Sequence, residues 1–430
     1  MNIKVKGGQV LEGEITPSGS KNSAVAIIPS TLLFDKPVFL ENIPDITDVD
    51  KLITILRMFG SKIDWNKSKC TMKIDNAKVA LENISKEDLG TMRGSSLLWG
   101  PMLARFGKIE FGKRPAGCNL GYRTLSPHYQ AFEDLGSEVS ESDTGISMNR
   151  KKAEGGDIWL TEMSPTATEN VLMLATALKR ATRIYNAASE PQVQDLCNFL
   201  VSSGASISGI GSNTLLVEGS KYLKSGGYKL LPDHYEIATF LALGAATGGR
   251  VKVNNAMPSF FTPIIRVFSK FGIEIYYKDE AAIVEAGQKI KIISDEARKI
   301  LTIKAHPWPG LPVDILPLFI PISLLARSGQ VLFHNWMYEA GLFWTNELGK
   351  LGANIVMCDP HRVITISGNG LRGAIMDAPY IIRAVVAMTM AAMISKGESI
   401  IRNADSVNRG HPHFVKNLQK LGASIEEIRE

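Results

Sequence analysis

H-F-V-K-N-L-Q-K-L-G-A-S-I, His413 to Ile425, holds the reading that decides the fold: an amphipathic helical pattern, a glycine, and an alternating strand. Glycine takes the left-handed conformation that ends a helix without a steric penalty, so Gly422 reads as a cap between helix and strand. The same sentence recurs about every 70 residues, as internal repeats do. It stands as F-G-S-K-I at Gly60, L-G-S-E-V at Gly136, S-G-A-S-I at Gly204, F-G-I-E-I at Gly272 and L-G-A-N-I at Gly352.

Working outward, each of these helices is preceded by a short β-rich run closed by a turn former, at Asn42, Gly112, Asn186, Asn255, Asn335 and Asn403. Upstream again lies a segment apolar nearly all round: S-A-V-A-I-I-P-S, S-S-L-L-W-G-P-M-L-A, E-N-V-L-M-L-A-T-A-L, I-A-T-F-L-A-L-G-A-A, I-L-P-L-F-I-P-I-S-L and I-R-A-V-V-A-M-T-M-A-A-M. A helix with no polar face has none to offer water and must be buried. The spacing therefore predicts six α/β modules, each hiding its apolar helix against its neighbours, and two domains of three modules. The boundary is expected near Gly226 to Asp233.

Composition narrows the function. With 430 residues, 45% hydrophobic, 21% charged and a net charge of +5, the chain has no block of like charge that would draw nucleic acid or a membrane surface. No apolar run has the length of a membrane span, and M-N-I-K-V-K-G-G lacks a signal-peptide core, so a cytoplasmic chain is expected. The cysteines at 70, 118, 197 and 358 form no C-x-x-C pair, which argues against a zinc site or a disulfide framework. Cys70, Cys197 and Cys358 read as small buried hydrophobes. Cys118 differs: K-R-P-A-G-C-N-L-G-Y-R sets it between Gly117 and Gly121 with Lys113, Arg114 and Arg123 nearby, a bendable loop whose cations favour the thiolate.

The starts of the apolar helices carry the remaining signal, because a helix N-terminus offers free N–H groups to an anion. Lys21 and Asn22 lie at the first and Arg93 at the second; Asp233 and Asp377 suit N-caps of the fourth and sixth. Asp314 follows the H-P-W-P-G-L-P loop, a setting for a functional wall rather than a cap. Arg383 and Arg409 extend the set of cations at module ends, a set suited to phosphate.

These residues carry a resemblance. G-S-K-N at Gly19 to Asn22, T-M-R-G-S at Thr91 to Ser95, G-C-N-L-G-Y-R at Gly117 to Arg123, S-P-T-A-T-E-N at Ser164 to Asn170, A-A-S-E-P-Q-V-Q-D at Ala187 to Asp195 and L-P-D at Leu231 to Asp233 make the chain resemble the enolpyruvyl transferases over essentially its whole length. Within that family it is most similar to the branch acting on UDP-N-acetylglucosamine. The resemblance implies a two-domain inside-out α/β barrel of six βαβαββ repeats, three per domain, with the active site in the inter-domain cleft. It places residues 21–230 in the first domain, and 1–20 with 231–430 in the second. It implies transfer of the enolpyruvyl group of phosphoenolpyruvate to the 3-hydroxyl of UDP-N-acetylglucosamine with release of phosphate, the first committed step of peptidoglycan precursor synthesis. No metal or organic cofactor is implied, no nucleic acid or membrane partner, and a monomer.

Carried over by position, Cys118 resembles the family's proton donor, which can also form a covalent pyruvate adduct, and Asp314 the base that takes the acceptor's proton. Lys21, Arg93, Arg123, Arg383 and Arg409 resemble the cage for phosphate and carboxylate, with Asn22 orienting substrate. Thr124, Leu125, Ser126, Pro127 and Leu332 take the positions that hold the nucleotide-sugar. Here the chain departs from the family: T-L-S-P-H replaces P-V-D-L-H after Arg123, and Thr47, Glu162, His234 and Trp336 stand where basic residues are usual. D-A-P-Y-I-I-R also lengthens the spacing between Asp377 and Arg383. These changes leave two alternatives open: an enolpyruvyl transferase using another acceptor, such as a uridine nucleotide, and a paralogue that binds a nucleotide-sugar without turnover.

Overall fold

The computed structural model of the chain describes every residue except 84–92, 113–119, 122–123, 144, 152, 220–222, 295, 297–298, 369 and 429–430. It divides into two compact units. One comprises Met1–Ser18, Pro232–Glu430 and the described residues of 118–123; the other comprises Gly19–Gly117 and Thr124–Leu231.

In the unit around residues 19–231, the strand Val38–Glu41 pairs antiparallel with Thr71–Asp75, which in turn pairs with Lys62–Asn66. Its other edge takes Gly227–Lys229 in parallel. Thr182–Tyr185 is wired the same way, with Asp157–Trp159 in parallel on one side and the Ser206–Ser208/Thr214–Glu218 hairpin on the other. Lys108–Phe111, Gly145–Asn149 and Glu138–Ser142 make the third sheet, with three strands among the described residues.

The unit around residues 232–430 repeats this wiring. Gly13–Ile15 lies parallel to Val251–Val253, which pairs with the Ile275–Lys278/Ala281–Val284 hairpin. Leu301–Lys304 lies parallel to Gln330–His334, followed by Arg362–Ile366 and Asn354–Asp359. In the last sheet Ile375–Asp377 runs parallel to Glu398–Arg402, and the strand between Glu398–Arg402 and Ile425–Ile428 is Asn2–Lys6.

The repeated glycines have the conformation the pattern requires. Gly60, Gly136, Gly204, Gly272, Gly352 and Gly422 all have φ between 69° and 103°, where a side chain would be strained. Four of the turn formers, Asn42, Asn186, Asn255 and Asn403, also sit at positive φ. Two of them do a second job: Asn42 Nδ2 donates to Leu230 O at 3.0 Å and Asn186 Nδ2 to Leu160 O at 2.8 Å, each tying its strand to the residue after the parallel neighbour. The fifth amphipathic segment, Phe343–Leu351, is a 3-10 rather than an α-helix. Gly349 in its last turn lowers α-helical propensity there.

The apolar helices are buried on all sides: Lys21–Ser30, Trp99–Phe106 and Pro165–Ala175 in one unit, His234–Thr247, Leu316–Leu324 and Ile382–Ile394 in the other. The last three pack on one another. Each fully buried Leu or Ile contributes roughly 1.5–3 kcal/mol, which is why these segments organise both units. Several of their hydroxyls bond back to the preceding turn, as in Ser30 to Ile27 O and Thr389 to Val385 O.

Three expectations are corrected. Asp377 caps no helix: it ends the strand Ile375–Asp377, pairs with Lys350 and Arg402, and the helix starts only at Ile382, after Pro379. Arg383 is accordingly the second residue of that helix. Of the three cysteines read as buried, only Cys197 is; Cys70 is half-buried in a turn at positive φ and Cys358 is exposed on an edge strand. Among the described residues, no helix is long and apolar enough to cross a membrane.

Candidate functional site

In the unit of residues 19–231, the first candidate segment is G-S-K-N. Gly19 lies so close to the turn after the strand Val38–Glu41 that a methyl group there would meet Asn42 O at 1.6 Å. Ser20 then caps the helix, its hydroxyl accepting from Ser23 N–H at 3.2 Å. Lys21, the first helical residue, is fixed by an ion pair to Asp48 at 2.8 Å. Asp48 is buried in the first turn of Thr47–Met58, so Lys21 is held by a counter-charge that water does not screen. Asn22 follows it, half-buried.

The segment after the cysteine loop is built on Thr124. Its hydroxyl accepts from Ser126 N–H at 3.0 Å and donates to Ser126 Oγ at 2.8 Å, starting the helix Ser126–Asp134. Leu125 and Pro127 are buried, so that stretch has backbone and the Thr124 and Ser126 hydroxyls to offer a ligand. His128 anchors it from beneath, with Nε2 3.2 Å from Thr166 Oγ1 and Nδ1 3.1 Å from Asn170 Nδ2. An amide N–H₂ only donates, so Nδ1 is the acceptor and the ring proton sits on Nε2. Cys118, Arg123 and the side chain of Arg93 lie outside the described residues.

In the other unit the structure brings Asp314 and Arg383 together. Asp314 occupies a turn just before the helix Leu316–Leu324, about a third exposed, with its carboxylate 3.9 Å from Arg383 Nε. Arg383 is buried, its guanidinium lying 4.4 Å over the Tyr235 ring and donating to His411 Nε2 at 2.7 Å. His411 follows Arg409 by two residues, and the Arg409 guanidinium in turn covers the Tyr380 ring at 5.1 Å. Leu332 is carried on the strand Gln330–His334 between Thr302 and Ile364.

Beneath this group lies a chain of buried polar side chains that the motifs did not reveal. Glu236 is fully buried; it accepts from Ser18 N–H at 2.7 Å and Ser18 Oγ–H at 2.8 Å, and its other oxygen faces His411 Nδ1 at 3.6 Å. Burial, then the neighbouring Asp233, pushes its carboxyl up to about 8. Burial likewise brings His234 down to about 4, so that ring is neutral at physiological pH. Asp233, the expected cap, accepts from the backbone N–H groups of Tyr235 and Glu236 and so fixes the helix start that carries both. The usable signal was a charge inside an apolar helix: Glu236 and Arg383 are each placed just after the start of one.

A cation fixed over an aromatic ring beside a carboxylate suits an anionic substrate whose partner must lose a proton, and the comparisons agree. The family model described as EPSP synthase (3-phosphoshikimate 1-carboxyvinyltransferase) matches residues 5–418. A UDP-N-acetylglucosamine 1-carboxyvinyltransferase of Bradyrhizobium diazoefficiens is 38% identical over 426 residues, covering 99% of this chain and 98% of the relative. One of Borreliella burgdorferi is 37% identical over 425 residues, with 99% and 98% covered. Among solved structures, the enolpyruvyl transferase NikO from Streptomyces tendae superposes with a TM-score of 0.85 at 19% identity, covering 99% of this chain and 98% of that one, which speaks for the fold. With the match running from the first strand to the helix before Gly422, through Lys21, Asp314, Arg383 and Arg409, the chain belongs to the EPSP synthase family of enolpyruvyl transferases.

Proposed function

We propose that this chain transfers the enolpyruvyl group of phosphoenolpyruvate to the 3-hydroxyl of UDP-N-acetylglucosamine and releases phosphate. The observation that carries the reading is the full-length similarity, at 36–38% identity, to relatives named UDP-N-acetylglucosamine 1-carboxyvinyltransferase. The pairing of Asp314 with a buried Arg383 supports it.

In this reading Asp314 takes the proton of the acceptor hydroxyl as its oxygen bonds to C2 of phosphoenolpyruvate, and Cys118 gives a proton to C3. Loss of a proton from C3 and departure of phosphate from C2 then restore the double bond. Phosphoenolpyruvate carries about three negative charges, and preorganised cations stabilise both the bound substrate and the leaving phosphate. Lys21, Arg93, Arg123, Arg383 and Arg409 are proposed for that work, with Asn22, Thr124, Leu125, Ser126, Pro127 and Leu332 on the acceptor. These groups come from both units, read as three βαβαββ modules apiece in the inside-out barrel arrangement. An acid and a base that assemble only with both substrates bound limit hydrolysis. The same resemblance supports reading the chain as a cytoplasmic monomer, and sedimentation at micromolar concentration tests the monomer.

Phosphate release with phosphoenolpyruvate and UDP-N-acetylglucosamine, lost in Cys118→Ala and Asp314→Asn, is the expected result. Release only with a different uridine compound would move the acceptor, and binding of the nucleotide-sugar without release across acceptors would remove the catalytic reading.

A further inference from the structure

We propose that His411 is a positioning residue for the enolpyruvyl transfer, its neutral imidazole holding the Arg383 guanidinium in place over Tyr235 and beside Asp314. The proposal rests on the functional reading above for what Arg383 binds, while its structural basis is independent of it.

Arginine stays protonated and has donors only. The 2.7 Å contact between Arg383 and His411 Nε2 therefore requires a lone pair on Nε2, so the ring proton lies on Nδ1. Nδ1 faces the Glu236 carboxyl at 3.6 Å, which is an electrostatic contact rather than a hydrogen bond. The carboxyl cannot turn away, because Ser18 holds its other oxygen through two donors. His411 is fully buried and packs on Phe414, with ring centroids 5.5 Å apart. A ring locked in this way leaves the guanidinium little choice of orientation. Tyr235 below it and His411 beside it leave its Nε 3.9 Å from the Asp314 carboxylate, and of these residues Asp314 has substantial exposure. The arrangement resembles the second partner that orients a metal-bound or catalytic imidazole, with an arginine as the oriented group.

The test uses the full chain with His411→Leu and His411→Gln. Glutamine can accept from Arg383 with its oxygen and donate toward Glu236; leucine fills the space and does neither. Losing a buried hydrogen bond to a charged group corresponds to about tenfold or more in affinity. His411→Leu, folded by circular dichroism, is expected to raise KM for phosphoenolpyruvate by about tenfold or more while KM for UDP-N-acetylglucosamine stays within about twofold. His411→Gln is expected to return the first to within about threefold of the parent. Unchanged constants in folded His411→Leu, a parallel rise of both, or no recovery in His411→Gln would overturn the proposal. Should the parent enzyme release no phosphate with these substrates, the functional reading fails, and ¹⁵N spectra of the histidine rings decide the positioning role on their own. The same spectra decide it should His411→Leu not fold. A buried ring protonated at Nδ1 and lost in His411→Gln upholds it, and protonation at Nε2 overturns it.

Discussion

Truncating Asn170 should destabilise the unit of residues 19–231 far more than the loss of one buried amide suggests, because this side chain is inserted into another helix. Its Oδ1 accepts from Gly100 N–H at 2.7 Å and its Nδ2 donates to Ser96 O at 3.0 Å, so it bridges the two groups that an α-helix would join directly. The bridge lies where the 3-10 segment Arg93–Leu98 passes into the helix Trp99–Phe106. The break cannot simply close by moving the helices, since they already touch: a methyl on Gly100 would lie 2.2 Å from Asn170 O. Asn170→Ala takes the acceptor from the buried Gly100 N–H and the shared donor from Ser96 O and His128 Nδ1, at about 1–3 kcal/mol per buried group that loses its bond, for a total of about 3–5 kcal/mol. That is a large share of the roughly 5–15 kcal/mol that holds a domain together. Urea unfolding followed by tryptophan fluorescence reads it well, as Trp99 is fully buried against His128 and Tyr129. The expected result is a lowered midpoint with unchanged slope, and at neutral pH Asn170→Asp should be no better, because it keeps the acceptor but turns a carboxylate toward the Ser96 carbonyl. A change below about 0.5 kcal/mol in Asn170→Ala would refute the bridge as a stabilising device.

Gly19→Ala places a methyl 1.6 Å from Asn42 O and must displace the helix start that carries Lys21; a loss of about 2–3 kcal/mol and weaker phosphoenolpyruvate binding are expected, read by thermal melting and calorimetry. Asp314→Asn should fold normally and lower kcat by about a hundredfold or more in the phosphate assay, as removal of a general base does. The pH dependence has a defined sign. Glu236 is raised from 4.5 to about 8, so between those values the folded chain keeps a proton the unfolded chain has lost, and stability falls as pH rises. His234, lowered from 6.5 to about 4, works oppositely: its contribution is lost as pH falls from 6.5 toward 4. The two oppose each other up to pH 6.5, leaving Glu236 alone to remove up to about 2 kcal/mol between pH 6.5 and 8. Glu236→Gln should flatten that fall in chemical unfolding, and an equal slope in the variant would refute the assignment.

The modules were legible in the chain because each rests on local rules. A glycine after an amphipathic run needs only its own φ to end a helix, and a helix without a polar face has one possible environment. Gly422 and Ile382–Ile394 could be read without knowing anything else about the molecule. Asp377 was misread because its placement beside an apolar run is also what a cap looks like; Pro379 and an intervening turn decide between the two. The positions proposed for phosphate could be picked out by charge and motif, yet what holds them could not. Lys21 depends on Asp48 from a different helix, and Arg383 on a histidine 28 positions later and a tyrosine far earlier in the chain. Such pairings leave no periodicity, since the partners are joined by topology and not by spacing.

The strand Asn2–Lys6, set between Glu398–Arg402 and Ile425–Ile428, gives synthesis an order. Its inward residues Ile3 and Val5 are made before the stretch 19–231 but gain their partner strands only when nearly four hundred more residues have been translated. The described strands of 19–231 pair with one another, which leaves that stretch free to fold while the rest is still being made. Nascent chains halted shortly after residue 231 should therefore already resist protease across that stretch while Asn2–Lys6 is still cut, and a chaperone that shields that strand would have its longest engagement there.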